Sequence, residues 1–270
     1  MRIRIAVAGI TGWTGSAVAR AVIGSDDFEL AAGIARKRAG EDIGTALGGA
    51  PLGVSVVPDL GAALRVPFDV LVDFTGPDSV KARTREALAA GRHVIIGTSG
   101  LTAADYRDLE TDALAHGRGV IAAGNFSITA ALAKHFALVA ARFLPSCEII
   151  DYAHAEKPDA PSGTALELAE AIGAVRPSRL GVALDRIHGF PATRGAALAG
   201  TQVHSVRLPG FVISFETLFG LPHERLTIRH DAGSGADPYV AGVLLAVRQV
   251  MELKGLVRGL DTLMLGDARG

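Results

Sequence analysis

The sequence predicts an α/β protein, with a doubly wound parallel sheet in its N-terminal part and a smaller α+β part after it. Over residues 1–125, short apolar runs rich in β-branched residues alternate with helical patterns. This alternation is typical of a parallel sheet covered by helices. A glycine-rich segment directly follows the first apolar run. Beyond residue 125, short strands separated by glycine and proline indicate a mixed or antiparallel sheet.

The predicted elements follow in chain order. The first run is apolar on both faces and ends in glycine, as a buried parallel strand does. Strands of the N-terminal part are predicted at 3–9, 28–35, 67–74, 93–99 and 119–125, with helices near 15–23, 79–90 and 106–115. The later part combines helices at 129–143, 163–172 and 239–254 with strands at 147–154, 201–210, 211–220 and 224–232.

The composition argues against several kinds of partner, although a local basic patch remains possible. The 270 residues carry a net charge of −1, which gives no overall attraction to nucleic acid or anionic membranes. The N-terminal apolar run is too short for a signal sequence, and no stretch reaches the roughly 18 apolar residues of a membrane span. The one cysteine, Cys147, allows no intrachain disulfide and is interpreted as a buried hydrophobic residue. We expect a cytoplasmic protein with no nucleic-acid or membrane partner.

The glycine-rich segment is Gly9-Ile10-Thr11-Gly12-Trp13-Thr14-Gly15, between the first strand and the first helix. Glycines permit a tight turn and let a pyrophosphate approach the backbone beside the N–H groups of the helix start. The segment therefore predicts a Rossmann-type dinucleotide-binding domain over 1–125, completed by a C-terminal helical segment over 235–270. A purely structural turn is the alternative.

A basic turn, Arg36-Lys37-Arg38, follows the second strand, and no acid occurs before Glu41. Folds of this kind usually place an acid there to bind the ribose 2′-hydroxyl of NADH. Cations would instead pair with a 2′-phosphate. We predict NADPH as the preferred cofactor, held in part by Arg36 and Lys37, with NADH as an alternative cofactor. A solvated basic turn is the other interpretation.

Residues at the ends of later strands complete the predicted cofactor site. Ligands of open α/β sheets bind at the carboxyl edge of the strands. The residues at that edge are Phe74, Thr75, Gly97, Thr98, Ser99, Asn125 and Phe126. Each is also compatible with an ordinary turn, and their shared position favours cofactor contact.

The helix predicted from residue 163 begins with a second candidate site. Thr164 and Glu167 have capping-box spacing, so Thr164 is the predicted N-cap, with Ser162 as the other candidate. Backbone N–H groups from Gly163 onward and the two hydroxyls would hold a carboxylate, and Lys157 adds a positive charge. The alternative is a well-capped helix with a surface lysine.

Together these motifs resemble the dihydrodipicolinate reductase family over nearly the whole chain. The K-x-D-A-P-S-G-T-A element is highly specific, whereas the glycine segment is not. The motifs are the glycine loop at 9–15, DFTGP at 73–77, GTSG at 97–100, AAGNFS at 122–127, KPDAPSGTA at 157–165, HSVRLPG at 204–210 and ERLTIRHDA at 224–232.

The resemblance implies hydride transfer from NAD(P)H to a cyclic unsaturated imine dicarboxylate, giving tetrahydrodipicolinate in lysine and diaminopimelate biosynthesis. It implies that residues 126–234 form a domain that binds substrate and assembles a homotetramer through its sheet. Lys157 would be the catalytic or substrate-binding cation. Gly163 and Thr164 would hold a substrate carboxylate, with Ser162 nearby. His154 would match the second histidine of an adjacent pair in the family.

The chain departs from the family at Ala153, where the first histidine of that pair is usually assigned as the general acid. Adjacent strand residues point to opposite faces, so in a regular strand His154 does not simply replace it, whereas in an irregular segment it could. Hydride addition leaves an anion that needs a proton, and general acid catalysis contributes about 10²–10⁴-fold. Lys157, a water held by His154, or Glu156 would supply the proton. A changed substrate and low activity are further alternatives.

Two other functions remain open on the sequence. Ala153 favours a divergent paralogue that reduces another imine or keto acid, or an amino-acid dehydrogenase. A non-catalytic NADP-binding sensor is the third hypothesis, although such a protein has no reason to keep Lys157 beside a carboxylate cradle. We interpret His204, His223 and His230 as structural and predict no metal site. Arg207 and Arg229 would serve the tetramer or the substrate pocket.

Overall fold

The structure, a computed structural model, describes residues 2–98 and 100–266. The chain forms two compact units. Unit 1 comprises the residues up to Ile128 together with Gly235–Leu263. Unit 2 comprises Thr129–Ser234 and, among the described residues, 264–266.

Unit 1 is built on a seven-stranded sheet in which every strand pair is parallel. Its strands are β1 (Ile3–Ala8), β2 (Phe28–Ile34), β3 (Val56–Val57), β4 (Val70–Asp73), β5 (His93–Ile96), β6 (Gly119–Ala122) and β12 (Gly255–Arg258). Their order is β12-β6-β5-β4-β1-β2-β3. The chain runs outward from β1 in one direction and then in the other, so the strand order reverses between β1 and β4.

Among the described residues, seven helices accompany these strands along the chain. They are α1 (Trp13–Ile23), α2 (Ile43–Ala46), α3 (Leu60–Ala63), α4 (Pro77–Ala89), α5 (Ala103–Ala115), α8 (Asp237–Val250) and α9 (Leu260–Leu265). Of these, α1, α3, α4, α5 and α8 contact strands of the sheet. The start of α5 is fixed by a capping box, in which Thr102 accepts from the backbone N–H of Asp105 and Asp105 accepts in return. Proline stands at the first position of α4, where a missing N–H costs nothing.

The C-terminal segment of unit 1 differs from the predicted helix over 235–270. The helix ends at Val250, and β12 then joins the free edge of the parallel sheet beside β6. Neither β12 nor the short elements β3, α2 and α3 are predicted from the sequence. The predicted doubly wound parallel sheet itself is confirmed.

Unit 2 contains a five-stranded mixed sheet in the order β11-β10-β7-β9-β8. Its elements are α6 (Ile128–Phe143), β7 (Ser146–Ala153), α7 (Gly163–Val175), β8 (Ala196–Leu198), β9 (Thr201–Arg207), β10 (Ile213–Leu221) and β11 (Glu224–Ala232). Only β7 and β9 pair in parallel. Alternate residues of β7 are buried, and Cys147 and Ile149 pack with α6 and α7 in one core. The predicted mixed α+β part is thus confirmed, and Cys147 is buried as expected.

Burial raises the pKa of the Cys147 thiol to about 12, so the residue behaves as a small hydrophobe. No helix among residues 2–98 and 100–266 has both the length and the apolar character needed to cross a bilayer.

A buried histidine makes the stability of unit 1 depend on pH. His93 is 6% exposed, and its Nδ1 accepts a hydrogen bond from the backbone N–H of Gly119 at 3.0 Å. Burial, and then the charge of Arg118, lower the pKa of His93 below its usual value. The unfolded chain therefore binds more protons at this residue, and its contribution to stability is complete above about pH 6.5 and is lost as the pH falls.

We expect the melting temperature to fall between pH 7.5 and pH 5.5, and the fall to be smaller in His93→Gln, whose side chain does not titrate. Thermal unfolding followed by circular dichroism across this range measures both slopes. His116→Gln, at the exposed end of α5, is the control. An identical pH slope in the His93 variant and the wild type would contradict this assignment.

Candidate functional site

The glycine-rich segment forms a tight turn at the carboxyl end of β1. Gly9 has a φ of +79°, and its N–H donates to the carbonyl of Ile34 at 3.0 Å. A Cβ on Gly9 would lie 2.4 Å from the carbonyl oxygen of Phe74, and one on Gly15 would lie 2.1 Å from the carbonyl oxygen of Gly9. Both positions therefore require glycine, because the clashing atoms belong to the backbone.

The start of α1 stands next to this turn. Gly12 is its N-cap, and no described side chain caps the helix. Backbone N–H groups at such a helix start attract anions, since they are directed outward at the positive end of the helix dipole. The turn and the helix start together can hold a pyrophosphate.

A cavity of about 730 Å³ opens beside this turn, along the carboxyl ends of β1, β2, β3 and β4. It includes five of the predicted cofactor residues, which are Gly9, Thr11, Gly12, Arg36 and Thr75. Its other lining residues are Ile34, Ala35, Pro58, Asp59, Leu60, Gly76, Asp78, Ser79, Ala82, Arg83 and Glu86. The volume lies within the usual range for ligand sites.

The three cations of the basic turn differ in whether an acid neutralises them. Arg38 is paired with Glu41 (Nη2 to Oε2, 2.7 Å) and donates to the carbonyl of Ala46. Arg36 lines the cavity, and Lys37 is exposed. Neither Arg36 nor Lys37 forms an ion pair within the part of the chain that the structure describes. Two cations of this turn are therefore available to an incoming phosphate.

A buried carboxylate organises the end of β4. Asp73 is fully buried, and its Oδ2 accepts from Arg83 Nη1 at 2.6 Å. Its Oδ1 accepts from the backbone N–H and the hydroxyl of Thr75, and the same N–H is 3.0 Å from the Thr98 hydroxyl. Sequence reasoning missed Asp73 and Arg83. The sequence pattern that could have indicated this pair is an acid at the end of a strand, Asp73, followed by an arginine on the next helix, Arg83.

The remaining predicted cofactor residues of unit 1 are mostly packing residues in this structure. Ile10 and Phe126 are buried, and the ring of Phe126 meets that of Phe74 edge-on at 6.0 Å. Gly97 lies against the Phe74 ring. The Asn125 side chain accepts from the backbone N–H of Ser127. Ser99 lies outside the described residues.

Trp13 and Thr14 lie in the first turn of α1. Trp13 is 58% exposed, and its ring contacts that of Tyr239 edge-on at 5.7 Å. It is the only tryptophan of the chain. Its fluorescence is therefore a specific probe of the glycine-rich turn and the start of α1.

In unit 2, α7 begins at the predicted carboxylate cradle. Ser162, rather than Thr164, is the N-cap, and its hydroxyl accepts from the backbone N–H of Ala165 at 3.2 Å. The same hydroxyl donates to Asp151 at 2.7 Å, so it has no remaining proton to give a ligand. Gly163 is exposed and directly follows the cap. The predicted cradle thus consists of backbone N–H groups more than of the Ser162 hydroxyl.

The two charged candidates upstream of α7 each contact an acid. Lys157 Nζ lies 2.7 Å from Asp159 Oδ1, and its side chain is 22% exposed. The Lys157 ammonium holds the pKa of the Asp159 carboxyl below its usual range. His154 is exposed and its Nδ1 lies 3.2 Å from Glu156 Oε2.

Ala153 is the last residue of β7 and is fully buried, on the same face as Asp151. His154 follows the strand end, and its backbone N–H donates to the carbonyl of Val212 at 3.3 Å. The two positions therefore have different environments. The exposed His154 side chain does not occupy the place of Ala153.

The other histidines have structural partners or lie in turns. His204 Nε2 is 2.8 Å from Glu148 Oε2, and His230 is buried beside Thr129, with a pKa lowered by burial. His223 is exposed between β10 and β11. Arg229 is paired with Glu216 and Asp231. Among the described residues, no group of three or more histidines, cysteines and acids could hold a metal ion.

The fold and these features define a class of protein, the oxidoreductases that use a nicotinamide cofactor on a Rossmann-type domain. Residues 3–126 match the family described as "Dihydrodipicolinate reductase, N-terminus", and residues 126–264 match "Dihydrodipicolinate reductase, C-terminus". The chain belongs to the dihydrodipicolinate reductase family.

Relatives and solved structures agree with this assignment. A 4-hydroxy-tetrahydrodipicolinate reductase of Geobacillus thermodenitrificans is 40% identical over 98% of this chain and 100% of that protein. One from Desulfitobacterium hafniense is 38% identical over 97% of this chain and 99% of its own length. The structure of "Dipicolinate bound Dihydrodipicolinate reductase from Paenisporosarcina sp. TG-14" has a TM-score of 0.85 and 34% identity. It covers 98% of this chain and 100% of that one.

Proposed function

We propose that this protein reduces the cyclic imine dicarboxylate 4-hydroxy-tetrahydrodipicolinate to tetrahydrodipicolinate, using NADPH, in lysine and diaminopimelate biosynthesis. Membership of the reductase family along both units supports this proposal. The observation that carries it is the start of α7, where Lys157 precedes a helix N-terminus that can bind a carboxylate.

The cofactor would occupy the cavity of unit 1. The turn at 9–15 fits a pyrophosphate because Gly9 and Gly15 leave no Cβ between the backbone and the ligand. Thr11, Arg36 and Thr75 line the same cavity. When bound, NADPH supplies a hydride. Ile10, Trp13, Thr14 and Lys37, together with the strand-end residues, would surround the bound cofactor.

The substrate would bind to unit 2 through Lys157, Gly163 and Thr164, with Ser162 fixing the helix start. Hydride addition to a conjugated imine leaves an enamine-like anion, which must be protonated. The Lys157 ammonium, which is partly exposed, is one candidate proton donor, and a water held by His154 is the alternative. We favour Lys157, because it lies in the loop that leads directly into the carboxylate cradle.

Preference for NADPH over NADH would come from Arg36 and Lys37. Their side chains have no acid partner among the described residues and lie at the end of β2, where the adenosine ribose binds in this fold. Three carboxylates, Asp59, Asp78 and Glu86, also line the cavity. Their negative charge weakens the attraction of a 2′-phosphate, so we expect NADH to be used as well.

Arg36→Ala is expected to lower kcat/KM for NADPH by about tenfold while leaving the value for NADH nearly unchanged, because a charge-assisted bond contributes about 1.5–3 kcal/mol. Steady-state kinetics with both cofactors measures the ratio. Arg65→Ala is the matched control, since Arg65 is exposed and does not line the cavity. An equal loss with both cofactors would refute a role in recognising the 2′-phosphate.

We propose that the protein is a cytoplasmic homotetramer that assembles through the sheet of unit 2. The helices α6 and α7 pack on one face of β7, where Cys147 and Ile149 are buried. The alternate residues Ile150 and Tyr152 lie on the opposite face and are partly exposed. Sedimentation analysis of the purified chain tests the oligomeric state.

The test of the main proposal is NADPH oxidation with freshly generated 4-hydroxy-tetrahydrodipicolinate. Ala153 favours a second candidate, a paralogue that reduces another imine or keto acid, because the position usually given to the general acid holds a buried methyl group. Turnover with another imine but not with this substrate would establish that candidate. Tight NADPH binding without any turnover would indicate a non-catalytic sensor.

A further inference from the structure

A buried acid, Asp151, fastens the loop that carries Lys157 to the sheet of unit 2. Asp151 lies on β7 with a side chain that is 1% exposed. Its Oδ1 accepts from the Ser162 hydroxyl at 2.7 Å. Its Oδ2 accepts from the Ser162 backbone N–H at 2.8 Å, from Arg207 Nη2 at 2.7 Å and from the Ser205 hydroxyl at 3.3 Å.

Arg207 extends this network to the middle of the loop. Its side chain is 15% exposed, and Nη2 and Nε donate to the backbone carbonyl of Asp159 at 2.8 and 3.3 Å. Its Nη1 donates to the backbone carbonyl of Asp151 at 3.2 Å. The segment from Asp159 to Ser162 is therefore held at both ends, directly between Lys157 and Gly163.

These contacts are costly to rearrange. A buried carboxylate is tolerated only when it is paired and hydrogen-bonded, and removing one partner leaves the other charge exposed to a low-dielectric interior. An unrestrained loop would also lose conformational freedom on binding a ligand, whereas a pre-organised one does not. Holding the loop in place thus lowers the cost of binding an anion there.

We propose that Asp151 and Arg207 are positioning residues of the dicarboxylate site. They set the place of Lys157 and of the first backbone N–H groups of α7 without touching the substrate. This inference rests on the proposed function. It predicts that loosening the network weakens binding of the dicarboxylate, and raises its KM more than it lowers kcat, while NADPH binding in unit 1 is unaffected.

The experiment compares the full-length wild type with Asp151→Asn and with Glu167→Gln. Glu167→Gln is the control, because it neutralises an acid of unit 2 that pairs with Lys134. Calorimetry with pyridine-2,6-dicarboxylate, in the presence of NADPH, is expected to show binding weakened by about tenfold or more in Asp151→Asn only. Trp13 fluorescence checks NADPH binding, and hydrogen exchange of residues 155–165 is expected to be faster in this variant only.

The inference would be overturned if Asp151→Asn had the same dicarboxylate affinity as the control and the same rate of hydrogen exchange at residues 155–165. If Asp151→Asn does not fold, Arg207→Lys decides, because it keeps a cation beside Asp151 and loses the two-nitrogen contact to the Asp159 carbonyl. Unchanged binding in that variant would equally overturn the inference. A wild type that binds no dicarboxylate refutes the proposed function, while the exchange comparison still tells whether Asp151 holds the loop.

Discussion

Replacing Lys157 with alanine is expected to lower kcat/KM for the imine dicarboxylate by about 10³-fold or more. Two losses combine in this variant. The substrate carboxylate loses a charge-assisted contact, and the enamine-like anion loses its proposed proton donor. The Lys157 side chain is 22% exposed and pairs with Asp159, and the neighbouring Arg207 is already paired with buried Asp151.

Lys157→Arg separates the two roles. A guanidinium keeps the positive charge but does not release its proton near neutral pH, so KM should stay close to that of the wild type while kcat falls. Lys134→Ala controls for the loss of a lysine in unit 2, since Lys134 pairs with Glu167. Steady-state kinetics gives both constants. A loss below tenfold in Lys157→Ala would show that another group binds and protonates the substrate.

The fold was predictable where the chain carries long periodic runs. The predicted strand at 28–35 is observed at Phe28–Ile34, and the predicted helix at 129–143 at Ile128–Phe143. Elements of two to four residues, such as β3 and α3, are too short to show a period. The strand β12 is also short, with four residues. It forms by pairing with β6, which is distant in the sequence, so no local pattern predicts it.

The site was predictable where a local backbone rule applies and unpredictable where distant residues meet. The turn at Gly9 can be predicted from the three glycines of residues 9–15 alone, because only glycine fits such a tight turn. The contact of Asp151 with Arg207 joins positions 56 residues apart, and the sequence offered no reason to pair them. The sequence also left the N-cap of α7 open between two hydroxyls. The structure shows Ser162 at the N-cap, where its hydroxyl accepts from the backbone N–H of Ala165 and donates to Asp151.

Alanine at Gly15 is expected to weaken NADPH binding by about 10²-fold, because the helix start and the turn can no longer pack together. The new Cβ would lie 2.1 Å from the carbonyl oxygen of Gly9 and 2.8 Å from its carbonyl carbon. Neither atom belongs to a flexible side chain, so α1 must move away from β1. The N–H groups that would hold the pyrophosphate move with it.

Gly24→Ala, at the other end of α1, is the matched control. Its Cβ would meet its nearest neighbour, the carbonyl oxygen of Arg20, at 3.6 Å, an ordinary contact, and the backbone there has a φ of −81°. Quenching of Trp13 fluorescence by NADPH, checked by calorimetry, measures binding in both variants. Because binding is measured without substrate, the result does not depend on which imine the protein reduces. NADPH affinity in Gly15→Ala within about threefold of the control would mean that the cofactor is held elsewhere than at this turn.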